Sequence, residues 1–168
     1  MSKVETLKEK VLEAQKKSDI AALYVLESEA HELFDEETLQ GFYANILDLA
    51  LEKLTQTLEA HRKMDLTEVQ DFATTRALYE YAMEHYSAGQ IKDAAALFEV
   101  LSGMTNDDKF SWSLTLHTYA AQENMTLEDF MENMADIEVT QNNGTFYISG
   151  FKKEAQQLLD NAKEKAAK

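Results

Sequence analysis

Apolar residues recur every three to four positions along most of this 168-residue chain, the spacing of one face of a helix. Val4, Leu7, Val11 and Ala14 predict a short amphipathic helix over residues 3–17. Ser18-Asp19 offers a cap to a second helix, carried by Ile20, Leu23, Leu26, Ala30, Leu33 and Phe34. Asp35-Glu36-Glu37 suits a restart, because carboxylates are favoured at a helix N-terminus. Leu39, Phe42, Ile46, Leu49, Leu54 and Leu58 then mark a third helix over 36–62. Gly41 lies inside it at a cost of about 1 kcal/mol. Thr67-x-x-Gln70 reads as a capping box with Leu66 as its staple residue. The helix it opens runs to Ala88 and stops at Gly89, a C′ glycine. Three more helices follow: 90–102 ending at Gly103, 107–122 capped by Asn106 or Asp107, and 126–136 opened by Thr126.

The period then changes from helical to alternating. Ile137 to Gln141 and Thr145 to Ser149 are rich in β-branched and aromatic residues and flank Asn142-Asn143-Gly144. Asn-Gly between alternating segments is a strong hairpin signal, so the pattern predicts two strands over 137–149. A lone hairpin is marginal in water and must pack on the helices or meet a partner strand. Ser149 is expected to cap a last helix over 150–166, whose AKEKAAK end should fray. The fold expected is all-α, with tetratricopeptide-like antiparallel helical hairpins and one small C-terminal β-hairpin. One compact domain is read in three parts: an N-terminal helical segment at 1–64, repeats at 65–136, and hairpin plus helix at 137–168.

Composition narrows the function classes. The chain holds 31 acids against 16 bases, a net charge of −15, with no Cys and no Pro. Without Cys there is no disulfide framework, thiolate metal site or thiol nucleophile. The charge is uneven: residues 18–151 carry 25 acids and 6 bases, while the two ends each carry five bases and three acids. An acidic body repels phosphate, which argues against nucleic acid and anionic membranes and for a basic or amphipathic peptide. The same acidity also suffices simply to keep a helical protein soluble. The opening MSKVETLKEKVLEAQKK has no apolar signal-peptide core, and no run is long enough to span a membrane. A cytoplasmic protein without membrane insertion is expected.

One segment reads as a repeat unit. In RALYEYAMEHYSAGQIKDAAALFEVLS, residues 76–102, Tyr81, Ala82 and His85 share one helix. Gly89 makes the turn, and Ile91, Ala94, Phe98 and Leu101 share the next. Small Ala82 and Ala94 let the two helices approach, and Phe98 fills the wedge. This resembles a tetratricopeptide repeat, with His85 where that family usually has Tyr. The segment TNDDKFSWSLTLHTYAAQENMTLEDFMENM has the length of a second, degenerate copy, with Asn124 near the turn position and Asp129 near the packing alanine. Within that superfamily, LYEYAMEHYSAGQIKDAAALFEVLSGMTNDDKFSWSLTL is similar to class II chaperones of type III secretion systems. The resemblance covers Thr67 to about Phe130. It lapses at 137–149, where that family has a third repeat, and the N-terminal 60 residues exceed the family's lead-in.

The resemblance implies a non-enzymatic chaperone or adaptor holding an extended partner segment, such as a secreted translocator, in a helical groove. With Leu78, Ala82 and His85 assigned to the core, the opposite stripe is Arg76, Tyr79, Met83 and Tyr86. Aromatics, Arg and Met suit peptide binding. The alternative is that this stripe packs on the preceding helices. Trp112 in the second copy is either a groove anchor or a core residue. A different expectation is a structural or regulatory protein that self-associates as a homodimer through its first helix.

Catalytic and metal patterns are sparse. Neither Glu-x-x-His nor His-Glu-x-x-His occurs among the four histidines, and no nucleophile elbow or phosphate loop is present. Glu27, His31 and Asp35 lie one turn apart, but in so acidic a chain they read as a solvated face. Glu80 and Glu84 read the same way. No catalytic residue, metal or cofactor is assigned.

Overall fold

A computed structural model of the chain describes residues 2–167, with side chains to Lys165. Among the described residues there are ten helices and no β-strand. The chain divides into two compact units, Met1–Leu78 and Tyr79–Lys168. That division falls inside a helix. Lys168, which closes the AKEKAAK end, lies outside the described residues.

The first unit begins with α1 (Lys3–Lys16), whose start is capped by the Ser2 hydroxyl. It packs on α2 (Ile20–Val25) and α3 (Glu27–Leu33) through Leu7, Val11 and Ala14. The single helix expected over 20–34 is two, broken at Leu26. There the backbone N–H is shared between the carbonyls of Leu23 (3.1 Å) and Ala22 (3.3 Å), a tightening toward 3₁₀ geometry. α4 (Glu36–Glu59) starts on the Asp35 carboxylate, which accepts from Thr38 N–H at 2.8 Å. It packs against α2 and α3 with Phe42, Ile46 and Ala50 inward.

α5 (Val69–Ser87) gives its first half to this unit and its second half to the next. Its start is not the capping box that the sequence suggests. Asp65 takes the Thr67 N–H and hydroxyl, and Glu68 takes the Asp71 N–H. Gln70 reaches instead to α2, donating to Asp19 Oδ1 at 2.6 Å and accepting from Ala21 N–H.

In the second unit α5 ends at Gly89, whose φ of +82° is the left-handed conformation a C′ residue needs. α6 (Ile91–Met104) follows and passes through Gly103 instead of stopping there. A short turn with Asp107 as cap leads to α7 (Asp108–Gln122), the helix packed most extensively on α6. So short a connection makes the pair antiparallel. Their seam carries a polar patch: Ser102 Oγ meets Thr115 Oγ1 at 3.0 Å, and Ser111 Oγ donates to Ser102 O at 2.8 Å. Asn124, at φ +61°, turns the chain into α8 (Leu127–Asn133), capped by Thr126.

The hairpin expected at 137–149 does not form. Residues Ile137–Asn143 are a helix, α9, with the Asp136 carboxylate accepting from Val139 N–H at its start. Gly144, at φ +68°, is its C′ residue, donating to the Thr140 and Gln141 carbonyls. An Asn-Gly pair supplies positive φ for a hairpin turn or for a helix stop, and here it serves the second. Thr140 decides the outcome: buried on the inner face of α9, its hydroxyl accepts from Gly150 N–H at 2.8 Å and from Ser149 N–H. Helical spacing places that hydroxyl under the returning chain. The sole extended pairing in this region is the antiparallel bridge between Ala135 and Phe151. The last helix, α10 (Glu154–Ala167), starts later than expected, and Ser149 bonds to Asn143 and Thr145 instead of capping it. It packs on α7.

Candidate functional site

Of the five residues that the sequence nominates for partner binding, Trp112 is the exposed one. Its neighbours on α7, Phe110, Ser113, Leu114, Leu116 and His117, are buried, which turns Trp112 outward with 47% of its surface exposed. The Ala135–Phe151 bridge brings the Phe151 ring to its side, edge to face at 5.5 Å. α7 and α10 then frame a surface groove of about 270 Å³. Leu116 and Ala155 are its floor, and Leu159 and Gln156 extend it along α10. Lys152 and Lys153 stand at its edge, and the lining holds no carboxylate. Lys152 is held in place, its ammonium donating to the Glu132 carbonyl at 2.5 Å.

Beneath the groove lies a buried polar chain. The His117 ring, fully enclosed, packs against Phe151, Phe130 and Phe98. Its Nδ1 is 2.6 Å from the Ser113 carbonyl, which can only accept, so Nδ1 carries the proton. Nε2 is therefore an acceptor, and the Tyr79 hydroxyl donates to it at 2.8 Å. The same Tyr79 oxygen accepts from Ile148 N–H at 3.1 Å, tying down the segment that leads to Phe151. Burial pushes His117 down from 6.5 to about 4, only partly offset by its bond to Ser113, so the ring is neutral. Burial also pushes the Tyr79 phenol up, keeping it protonated. These groups are a structural brace: no ring nitrogen or hydroxyl faces solvent for chemistry.

The remaining nominated residues lie elsewhere. Tyr79 is 4% exposed and Tyr86 1%, the latter donating to Met125 O at 2.7 Å against the Phe98 and Phe130 rings. Neither offers a surface to a ligand. Met83 is half-buried. Arg76, in the first unit, stacks its guanidinium over Tyr24 at 4.0 Å and donates to Glu27 Oε1 at 3.2 Å. His85, assigned to the core, is half-buried and pairs with Gln90 beside the Tyr81 ring. Leu78, Ala82, Ala94 and Phe98 are buried, while Tyr81 and Ile91 are half-buried.

The Glu27–His31–Asp35 row is also committed to structure. Tyr43 donates to Glu27 Oε2 at 2.6 Å, His31 Nε2 lies 2.6 Å from the same hydroxyl, and Asp35 caps α4. Among the described residues no group of three or more His, Asp or Glu could hold a metal ion. No helix among them is long and apolar enough to cross a membrane. Phe151, Lys152 and Lys153 were not nominated by pattern, because 149–151 reads as a strand end and a helix cap. The available signal was an aromatic followed by two lysines at the point where the chain's charge turns from acidic to weakly basic.

Comparison with protein-family models, curated proteins and solved structures finds no match for the chain.

Proposed function

We propose that the protein is a non-enzymatic binding module, a cytosolic chaperone or adaptor that holds a segment of a partner protein in a helical groove. The observation that carries this reading is Trp112 and Phe151 side by side at the mouth of the α7/α10 groove. A half-exposed Trp beside a second ring over an apolar floor is the composition of a binding hot spot. The groove is not formed by the stripe that the sequence suggests, because Tyr79 and Tyr86 of that stripe are buried in the core.

A role in secretion, like that of class II type III secretion chaperones, is the finer proposal. The order of α5 to α8 supports it. Gly89 and Asn124 are both left-handed turn residues, about one tetratricopeptide unit (about 34 residues) apart. α9 stands where a further repeat would otherwise begin.

Selecting a library of short random peptides on the whole chain tests the module. Sequences should enrich that bind the protein and change the emission of Trp112, its single tryptophan. Trp112→Ala should weaken them about thirtyfold. A library that enriches equally on wild type and Trp112→Ala rejects the groove.

Self-association is a second reading, favoured by one observation in the first unit. Val25 is 80% exposed beside a shallow apolar depression on α1 and α2. Light scattering of Val25→Glu should then report a smaller species than wild type. The inner face of the first helix is not free for such a contact, since Leu7, Val11 and Ala14 are core.

A further inference from the structure

We infer that the α7/α10 groove takes an acidic segment: one bulky apolar side chain seated between Trp112 and Phe151, flanked by carboxylates that meet Lys152 and Lys153. The inference rests on the groove being a binding site and adds the chemistry of its occupant. It runs against the chain's net charge, which by itself points to a basic partner.

The local charges decide. Two clefts in the first unit are electrically mixed. The polar one between the α1–α2 turn, α4 and α5 carries Lys17 and Lys53 with Asp19 and Glu52. The depression on α1 and α2 carries Lys10 and Lys17 with Glu13 and Asp19. In each, two lysines are balanced by two carboxylates. The Trp112 groove has two lysines and none. In a chain with nearly twice as many acids as bases, that imbalance at an aromatic mouth marks the sign of the ligand. Screening favours the local pair over the distant body, because charges beyond about 8 Å are largely masked at physiological ionic strength. A basic peptide would place its ammonium groups against Lys152 and Lys153 with no carboxylate in the lining to receive them.

Preorganisation strengthens the point. The Glu132 carbonyl fixes the Lys152 ammonium at the groove edge and leaves two of its three N–H donors for a ligand. A cation already held loses less side-chain freedom on binding. The ring pair supplies the apolar seat and the lysines fix orientation, the division of labour expected of an anchored peptide site.

The same peptide library separates this inference from the reading beneath it. Sequences enriched on wild type should carry Asp or Glu beside a Leu, Phe or Trp. Lys152→Glu with Lys153→Glu should weaken a chosen acidic winner more than tenfold (about 1.4 kcal/mol per tenfold) and move a fresh selection toward Lys and Arg. Raising the salt should weaken the wild-type complex. Because both lysines are exposed, the double variant folds, as an unchanged circular dichroism spectrum will show. Enrichment of basic sequences on wild type, with Trp112 still responding, overturns the acidic occupant while leaving the module intact. No enrichment overturns both. A Trp112 shift that follows protein concentration alone, with a doubled mass in light scattering, makes the occupant a second copy and also overturns the inference.

Discussion

The first unit is held mainly by aliphatic contacts, with Phe42 as its buried ring, and the second by aromatic ones around a buried histidine. In the first, Leu7, Val11, Leu23, Ile46 and Ala50 fill the interior, and polar groups such as Glu27, Tyr43 and Arg76 meet nearer the surface. In the second, Phe98, Phe130 and Phe151 enclose His117, whose two nitrogens are both spoken for. Aliphatic burial is non-directional and scales with area, so it tolerates rearrangement. A buried hydrogen-bonded ring specifies one arrangement and makes stability depend on protonation. The groove with Trp112 lies on the unit whose core is of the second kind.

Acid should separate the two most sharply. His117 titrates near 4 when folded and near 6.5 when unfolded. Its contribution is therefore complete above about pH 6.5, is lost as pH falls toward 4, and is flat below that. The loss amounts to about 3 kcal/mol. In the first unit, Asp19 is lowered from 3.8 by Gln70 and the Ala22 N–H, so its contribution fades only as pH falls below 3.8. Segment-resolved hydrogen exchange at a series of pH values should show α7 losing protection between pH 6.5 and 4, well before α2. Simultaneous loss would break the contrast.

Removing one hydroxyl from each unit sharpens it. Tyr79→Phe leaves Ile148 N–H and His117 Nε2 without their partner inside the core, at a cost of about 2 kcal/mol. Tyr43→Phe, at half-buried Tyr43, should cost less than about 1 kcal/mol because water can replace its hydroxyl. Urea unfolding of both variants measures the difference, with Trp112 emission reporting the second unit.

Glycines give the next effect, with opposite signs. A Cβ at Gly150 would lie 2.6 Å from Val139 Cβ and 2.8 Å from the Asp136 carbonyl oxygen. Gly150→Ala should therefore destabilise by about 1.5 kcal/mol and loosen the segment that carries Phe151. Gly41 lies in α4 with nothing within 4 Å of such a Cβ, so Gly41→Ala should stabilise by about 1 kcal/mol through helix propensity. Thermal unfolding of the two variants checks both signs. Asp19→Ala, which removes the α2 cap and its Gln70 contact, should cost about 1 kcal/mol by the same measurement.

Helix existence was legible wherever a segment is long and one face is apolar: α1, α4, α5, α6 and α7 all follow their periodicity. Caps at Asp35, Asp107 and Thr126, and the stop at Gly89, were equally local and equally legible. The misreadings share a cause. Thr67-x-x-Gln70 has the spacing of a capping box, yet Gln70 finds better partners in α2 across a long sequence separation. Ile137 and Val139 alternate like a strand, yet both are exposed on α9 while Thr140 carries the buried contacts. The tyrosine stripe of α5 showed the right composition for a groove, but composition cannot tell a face that meets solvent from one that meets another helix.

The sequence by itself determined an acidic, cysteine-free, helical chain, because side-chain spacing and cap chemistry act within a few residues and need no other partner. It also marked Trp112 as the aromatic of a repeat-like helix with two readings open. Only the tertiary structure decided that α7 turns this ring outward, that α9 is helical, and that Phe151, Lys152 and Lys153 complete a groove. Those outcomes depend on which groups far apart in the chain become neighbours. Burial and hydrogen bonding between Thr140 and Gly150, or among Tyr79, His117 and Ile148, then outweigh local preferences worth only a few tenths of a kcal/mol per residue.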